Sequence, residues 1–205
     1  EYGADRKGDY LPETTRDGRP MRPGNLPHIM PGPEDTYQSY GYGWANASNT
    51  PYRMFKQFDH EGGIRTPMIA HWPAGIESPG RLIPAVSHLI DIMPTVLEVT
   101  RVHANQSTTP KGSVIPQDGT SLAAALTGKL EHERTLFFHH ARGSALRHGH
   151  WKIVRERKEP WELYNLKQDP LELSNLTKER PDKLSELSEI WERESKRLNR
   201  QANVN

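Results

Sequence analysis

The 205-residue sequence predicts an α/β architecture that runs into a small antiparallel sheet covered by a C-terminal helix. Three observations carry this. A short apolar run is followed by a stretch of helical spacing, four strand-like pieces separated by turn signals come next, and a long amphipathic segment closes the chain.

Residues 1–48 form a Gly/Pro-rich loop region in this reading. In "RDGRPMRPGNLPHIMPGPEDT" the prolines fix φ, the glycines supply unusual φ, and apolar periodicity is almost absent. A stretch this long without elements reads as a functional surface loop or a disordered tail. Residues 49–130 read as an α/β portion. "PMIAHWP" is bounded by proline at both ends, which predicts a buried strand over Met68 to Trp72. In "SHLIDIMPTVLEVT" Leu89, Ile92, Met93, Val96 and Leu97 share one helical face. Pro94 fits the first turn of a helix starting near Asp91, where its missing N–H costs little. Residues 101–120 return to loop composition, and "TSLAAALTG" predicts a short capped helix ending at Gly128.

Residues 131–205 read as a separate sheet-and-helix unit. "TLFFHH", "SALRHG", "HWKIVRE" and "WELYNL" predict an antiparallel meander. From Thr177 to Leu198, Leu184, Leu187, Ile190, Trp191 and Leu198 form an apolar stripe, with Pro181 in the first turn.

Composition bounds the function. Hydrophobic residues make up 34% and mean hydropathy is −0.83, so the core is small, the loops are extensive, or the chain packs on something else. A net charge of +1 gives no general pull toward nucleic acid or anionic membrane. There is no cysteine, hence no disulfide, thiolate zinc site or cysteine nucleophile. No apolar run reaches membrane-spanning length, and the first residues do not resemble a signal peptide.

Candidate chemistry centres on Lys56–His60–Glu61–Gly62–Gly63. Two glycines let the backbone turn sharply and approach a partner closely, yet residue types alone favour an exposed turn with solvated Lys and Glu. His139, His140, His148 and His150 are a possible metal set, but adjacent strand residues face opposite ways and no carboxylate stands at ligand spacing. "RGSALRHGHWKIVRERK" is basic with one Trp, either a nucleic-acid surface or the outer face of a sheet strand. Asn-x-Ser/Thr triplets start at Asn46, Asn105 and Asn175, and matter only in a glycosylating pathway.

"GWANASNTPYRMFKQFDHEGGIRTPMIAHWPAGI" resembles the segment of type I sulfatases around their second lysine, W-A-N-x-S-N-T-P-F-R, Lys, then E-G-G-I-x-T-P. "SHLIDIMPTVLEV", "QDGTSLAAALTG" and "ALRHGHWKIV…WELYNLKQDPLELSNL" resemble later sulfatase segments, so the likeness covers the chain from about Tyr40 onward. It implies the C-terminal part of an alkaline-phosphatase-like sulfatase domain followed by a small antiparallel sheet packed with a C-terminal helix. The implied enzyme is an arylsulfatase-type sulfuric ester hydrolase.

The same likeness implies that Lys56, five places before Glu-Gly-Gly, is catalytic and contacts the sulfate ester. It makes His60 a second substrate-binding candidate, Glu61 a residue that orients the loop, and Trp44 a possible pocket wall. Calcium and formylglycine are implied for the family. The C/S-x-P-x-R motif and the Asp-Asn pair that go with them are absent, so no metal ligand is expected in this chain. The expected partners are an N-terminal remainder of the same enzyme and a sulfate ester, with no nucleic acid and no membrane span. Alone, the chain is expected to be inactive. Secretion or periplasmic export is the implied location. A phosphoester or phosphonate hydrolase of the same superfamily, or a non-catalytic packing module, remains as an alternative.

Overall fold

In the computed structural model, residues 11–39, 41–76, 80–102, 118–128, 133–140 and 143–202 are described. The Asn105 triplet, Arg142 and most of the 101–120 loop lie outside them.

The centre is the expected meander. Strands β3 (Thr135–His140), β4 (Gly143–His148), β5 (Trp151–Glu156) and β6 (Glu162–Asn165) pair antiparallel in sequence order. The register places His148 opposite Trp151, so Gly149 and His150 alone close the β4–β5 hairpin. Gly149 takes φ +58, the left-handed conformation a two-residue loop demands at its first position.

Period-two alternation gives this sheet two faces. Leu146, Ile153 and Leu163 lie on one of them, packed with Leu187 of α5 (Pro181–Ala202) and flanked by Leu184, Ile190 and Trp191. The helix stripe legible in the sequence is therefore its buried face, and Pro181 opens its first turn. Trp191 stacks on Phe137 at 5.5 Å and meets Trp161 edge-on at 5.4 Å. On the other face Ala145, Val154 and Tyr164 cluster with Phe138. This face receives residues 53–61, which join it through Lys152, Tyr164 and Glu162.

Two basic residues of the 142–158 stretch, Lys152 and Arg155, are drawn inward, while Arg157 and Lys158 stay exposed. Lys152 is fully buried between carboxylates, and the Arg155 guanidinium lies 4.2 Å over Trp161 and 5.1 Å over Trp191. The histidines form no ligand set: His139 pairs with Ser144 and His148 with Thr135. Among the described residues no group of three or more His, Cys, Asp or Glu side chains could hold a metal ion.

Helix α3 (Ile92–Thr100) begins after a single 3-10 turn, Leu89–Asp91, and holds Pro94 in its first turn. Its anchor is Asp91, fully buried and gripped by both nitrogens of the Arg134 fork at 2.6 and 2.9 Å. The backbone N–H groups of His88 and Thr120 donate to the same carboxylate. Burial raises the Asp91 pKa, but the Arg134 hydrogen bonds and these N–H groups outweigh it and hold the carboxyl below its ordinary range. Thr95 links α3 to the next segment by accepting from Leu122 N–H ahead of α4 (Ala123–Leu126), which ends before Gly128 at φ +83.

Two expectations fail. Residues 68–72 are not a buried strand: no described strand runs beside them, and Met68, Ile69 and Trp72 are exposed. A strand needs a neighbour for its N–H and C=O groups, which an apolar run cannot supply by itself. The apolar face of α3 is likewise open, with Ile92, Met93 and Val96 exposed. Residues 1–48 are also not loop alone. Arg22–Pro23 (β1) pairs in parallel with Thr36–Tyr37 (β2), and Gly41–Asn49 is helix α1. This helix has a single buried residue, Ala45, and so little apolar periodicity to announce it.

Candidate functional site

Residues 49–64 form an arch standing on the inner sheet face. Asn49, the last residue of α1, donates from Nδ2 to the carbonyls of Met54 and Gly62, tying the start of the arch to its end. The arch closes at the short helix α2 (Glu61–Ile64). Gly62 and Gly63 are required there by close approach. A Cβ on Gly62 would stand 2.2 Å from the Arg53 carbonyl oxygen, and one on Gly63 would stand 1.9 Å from that of Phe58. The backbone of residues 53–58 rests directly on the two glycines.

Lys56 is displayed near the middle of this arch, exposed to solvent. Its neighbours Met54 and Gln57 both take positive φ, +65 and +89, a conformation that costs of order 1–3 kcal/mol per non-glycine residue and persists where surrounding contacts enforce it. Those contacts include a chain of rings. Tyr42 meets Phe55, Phe55 meets Phe58, and Phe58 meets His60, with centroids 5.6, 5.3 and 6.5 Å apart.

His60 faces the other way, into the sheet. Only 3% exposed, it places Nε2 3.1 Å from Glu162 Oε2. Tyr164 Oη–H donates to the same oxygen at 2.6 Å, and Arg53 stands 3.7 Å away. The His60 hydrogen bond is the largest influence on Glu162. Desolvation opposes it, but with Tyr164 and Arg53 adding their share the carboxyl is pushed down to about 2. Tyr164 responds in the opposite sense, its hydroxyl raised by burial and by the adjacent carboxylate. His60 also lines an open cleft of about 340 Å³ with Met54, Trp161 and Glu162 among its walls. Lys56 is not among the residues of that cleft, so the two sequence candidates share the arch but no cavity. Trp44 is exposed on α1.

Behind the arch lies a buried charge cluster. Lys152 Nζ is 2.9 Å from Glu61 Oε1 and 2.8 Å from Glu172 Oε1. The Glu61 backbone N–H donates to Glu172 Oε2 at 2.8 Å. Glu61 therefore anchors the arch. Asp59, also buried, has its carboxyl pKa raised by desolvation, against the charges of Lys152, His140 and His139. Its Oδ2 would lie 2.7 Å from a Cβ on Gly143, so the strand comes in close because that residue is glycine.

Sequence reasoning assigned no role to Arg53, Lys152, Glu162 or Glu172. All four nonetheless stand inside the quoted motifs, in "NTPYR", "HWK", "WELY" and "DPLELSN", and that was the available signal.

Comparison with known proteins is consistent across sequence and structure. The family model described as N-sulphoglucosamine sulphohydrolase, C-terminal, matches residues 52–202. A sulfatase of Schizosaccharomyces pombe is 36% identical over 159 residues, covering 74% of this chain and 28% of that protein. An arylsulfatase of Klebsiella aerogenes is 34% identical over 104 residues, covering 50% and 22%, and a mouse (Mus musculus) steryl-sulfatase is 31% identical, covering 51% and 15%. Among solved structures, Ps i-CgsB in complex with k-i-k-neocarrahexaose superposes with a TM-score of 0.61 at 22% identity, covering 71% of this chain and 32% of that one. That likeness is one of fold. The chain thus spans under a third of the length of each of these relatives.

Proposed function

The chain belongs to the N-sulphoglucosamine sulphohydrolase C-terminal family of sulfatases, and on that premise we propose that it is the C-terminal portion of a sulfuric ester hydrolase in which Lys56 contacts the sulfate ester. The observation that carries this is the arch. A lysine is exposed between two residues of positive φ, on a backbone that lies against two glycines and is bonded to the sheet behind it through Lys152. Hydrolysis of a sulfate monoester builds negative charge on the leaving oxygen and the sulfuryl group. An ammonium positioned by the arch where that charge develops stabilises it.

His60 enters the proposal as part of the cleft wall. The residues of this chain do not fit formylglycine or calcium: the sequence has no cysteine and no Ser-x-Pro-x-Arg, and no described cluster could hold a metal ion. Both groups would belong to an N-terminal remainder of the same polypeptide. The exposed apolar residues Met68, Ile69, Trp72, Ile92 and Val96 suit the packing face for that remainder. Secretion or periplasmic export goes with the family. Among the described residues no helix is long and apolar enough to cross a membrane.

The test is Lys56→Ala in the full-length polypeptide, assayed on a chromogenic aryl sulfate and, in parallel, on the corresponding aryl phosphate. Turnover of the sulfate is expected to fall about 10²- to 10³-fold, the scale of losing one such donor. Near-wild-type turnover removes Lys56 from the site, and preference for the phosphate ester assigns the chain to phosphoester chemistry.

A further inference from the structure

Glu172 is bonded to both ends of the arch that carries Lys56. Its backbone carbonyl accepts from Arg53 Nη1 at 3.0 Å, before the lysine, and its Oε2 accepts from the Glu61 N–H at 2.8 Å, after it. Its other carboxylate oxygen lies 2.8 Å from Lys152 Nζ, near the start of β5. The residue is fully buried and itself takes φ +58, so backbone and side chain reach the two ends at once. Among the described residues Lys56 makes no hydrogen bond or ion pair. Its position is set by the arch, and Glu172 is a residue that holds the arch on both sides of the lysine.

We infer that Glu172 is a positioning residue for Lys56, acting through Arg53 and Glu61. This rests on the proposed contact between Lys56 and the sulfate ester. A glutamine at 172 keeps one acceptor for the Glu61 N–H but turns an amide donor toward the Lys152 ammonium, donor against donor. The side chain that receives the Glu61 N–H is then no longer held by Lys152, so that side of the arch can shift, and a displacement of about 1 Å at a catalytic group can cost as much as 10²-fold in rate.

The experiment is a double-mutant cycle in the full-length polypeptide, on an aryl sulfate, with each variant's folded fraction measured by thermal melt. Glu172→Gln is expected to lower kcat about 10- to 10²-fold with KM changed much less. In the Lys56→Ala background the same change is expected to lower kcat no further, since the residue acts through the lysine. Losses that multiply across the cycle, or no loss from Glu172→Gln alone, overturn the inference while leaving the role of Lys56 intact. A neutral Lys56→Ala overturns that role first. Should Glu172→Gln fail to fold, Arg53→Gln at the half-exposed end of the same bridge decides by the same non-additivity.

Discussion

Replacing Lys152 by methionine isolates the electrostatics behind the arch. The lysine is fully buried, and its two carboxylate partners have side-chain exposures of 5% and 0%. At an effective dielectric near 20, opposite charges about 3 Å apart attract by roughly 5–6 kcal/mol, and most of this offsets the desolvation of three charged groups. Methionine fills the volume of the lysine stem, so little cavity is created. What remains is a pair of buried carboxylates facing each other with no cation between them. Breaking a buried pair in this way costs about 3–5 kcal/mol. That is a large share of the roughly 5–15 kcal/mol that holds a domain together. Urea unfolding of the full-length polypeptide, followed by the near-ultraviolet dichroism of the Trp161–Trp191 cluster, should show an earlier midpoint at unchanged slope. Neutralising both carboxylates as well, in Glu61→Gln/Lys152→Met/Glu172→Gln, should recover most of the loss. A loss below about 1 kcal/mol for Lys152→Met, or a triple variant no more stable than the single one, refutes the charge argument.

Two further outcomes follow from the same arch. Gly63→Ala places a Cβ 1.9 Å from the Phe58 carbonyl oxygen, so the loop must lift, and destabilisation of about 1–3 kcal/mol is expected in chemical denaturation, whereas Gly43→Ala, with open space around it, should be neutral. The Glu162 carboxyl is depressed in the folded state from 4.5 to about 2, first by His60, so it contributes stability above pH 4.5 that is lost as the pH falls toward 2. Glu162→Gln should flatten the fall in stability across that window, and an unchanged acid slope would show that the residue is not ionised there.

Local periodicity made much of the C-terminal half legible. Strands β3 to β6 alternate inward and outward residues, α5 carries its stripe at helical spacing, and glycine marks the tight hairpin at 149. The same rule fails at residues 68–72, where apolar content without a neighbouring strand yields exposed irregular chain. Helix α1 escaped because one buried alanine is too weak a pattern to detect. In the site, the resemblance singled out Lys56 and His60, and only coordinates separated them, one exposed and the other paired with Glu162.

By itself, then, the sequence determined the meander, its covering helix and the two glycines beneath the lysine, because each depends on residues close along the chain. Tertiary structure alone decided that Lys152 of a basic stretch would be fully buried, and that Glu172 would hold an arch 111 residues upstream of it. A charge declares its role only through its partner, and here Lys152 and Glu61 lie 91 residues apart, meeting only when the arch closes on the sheet.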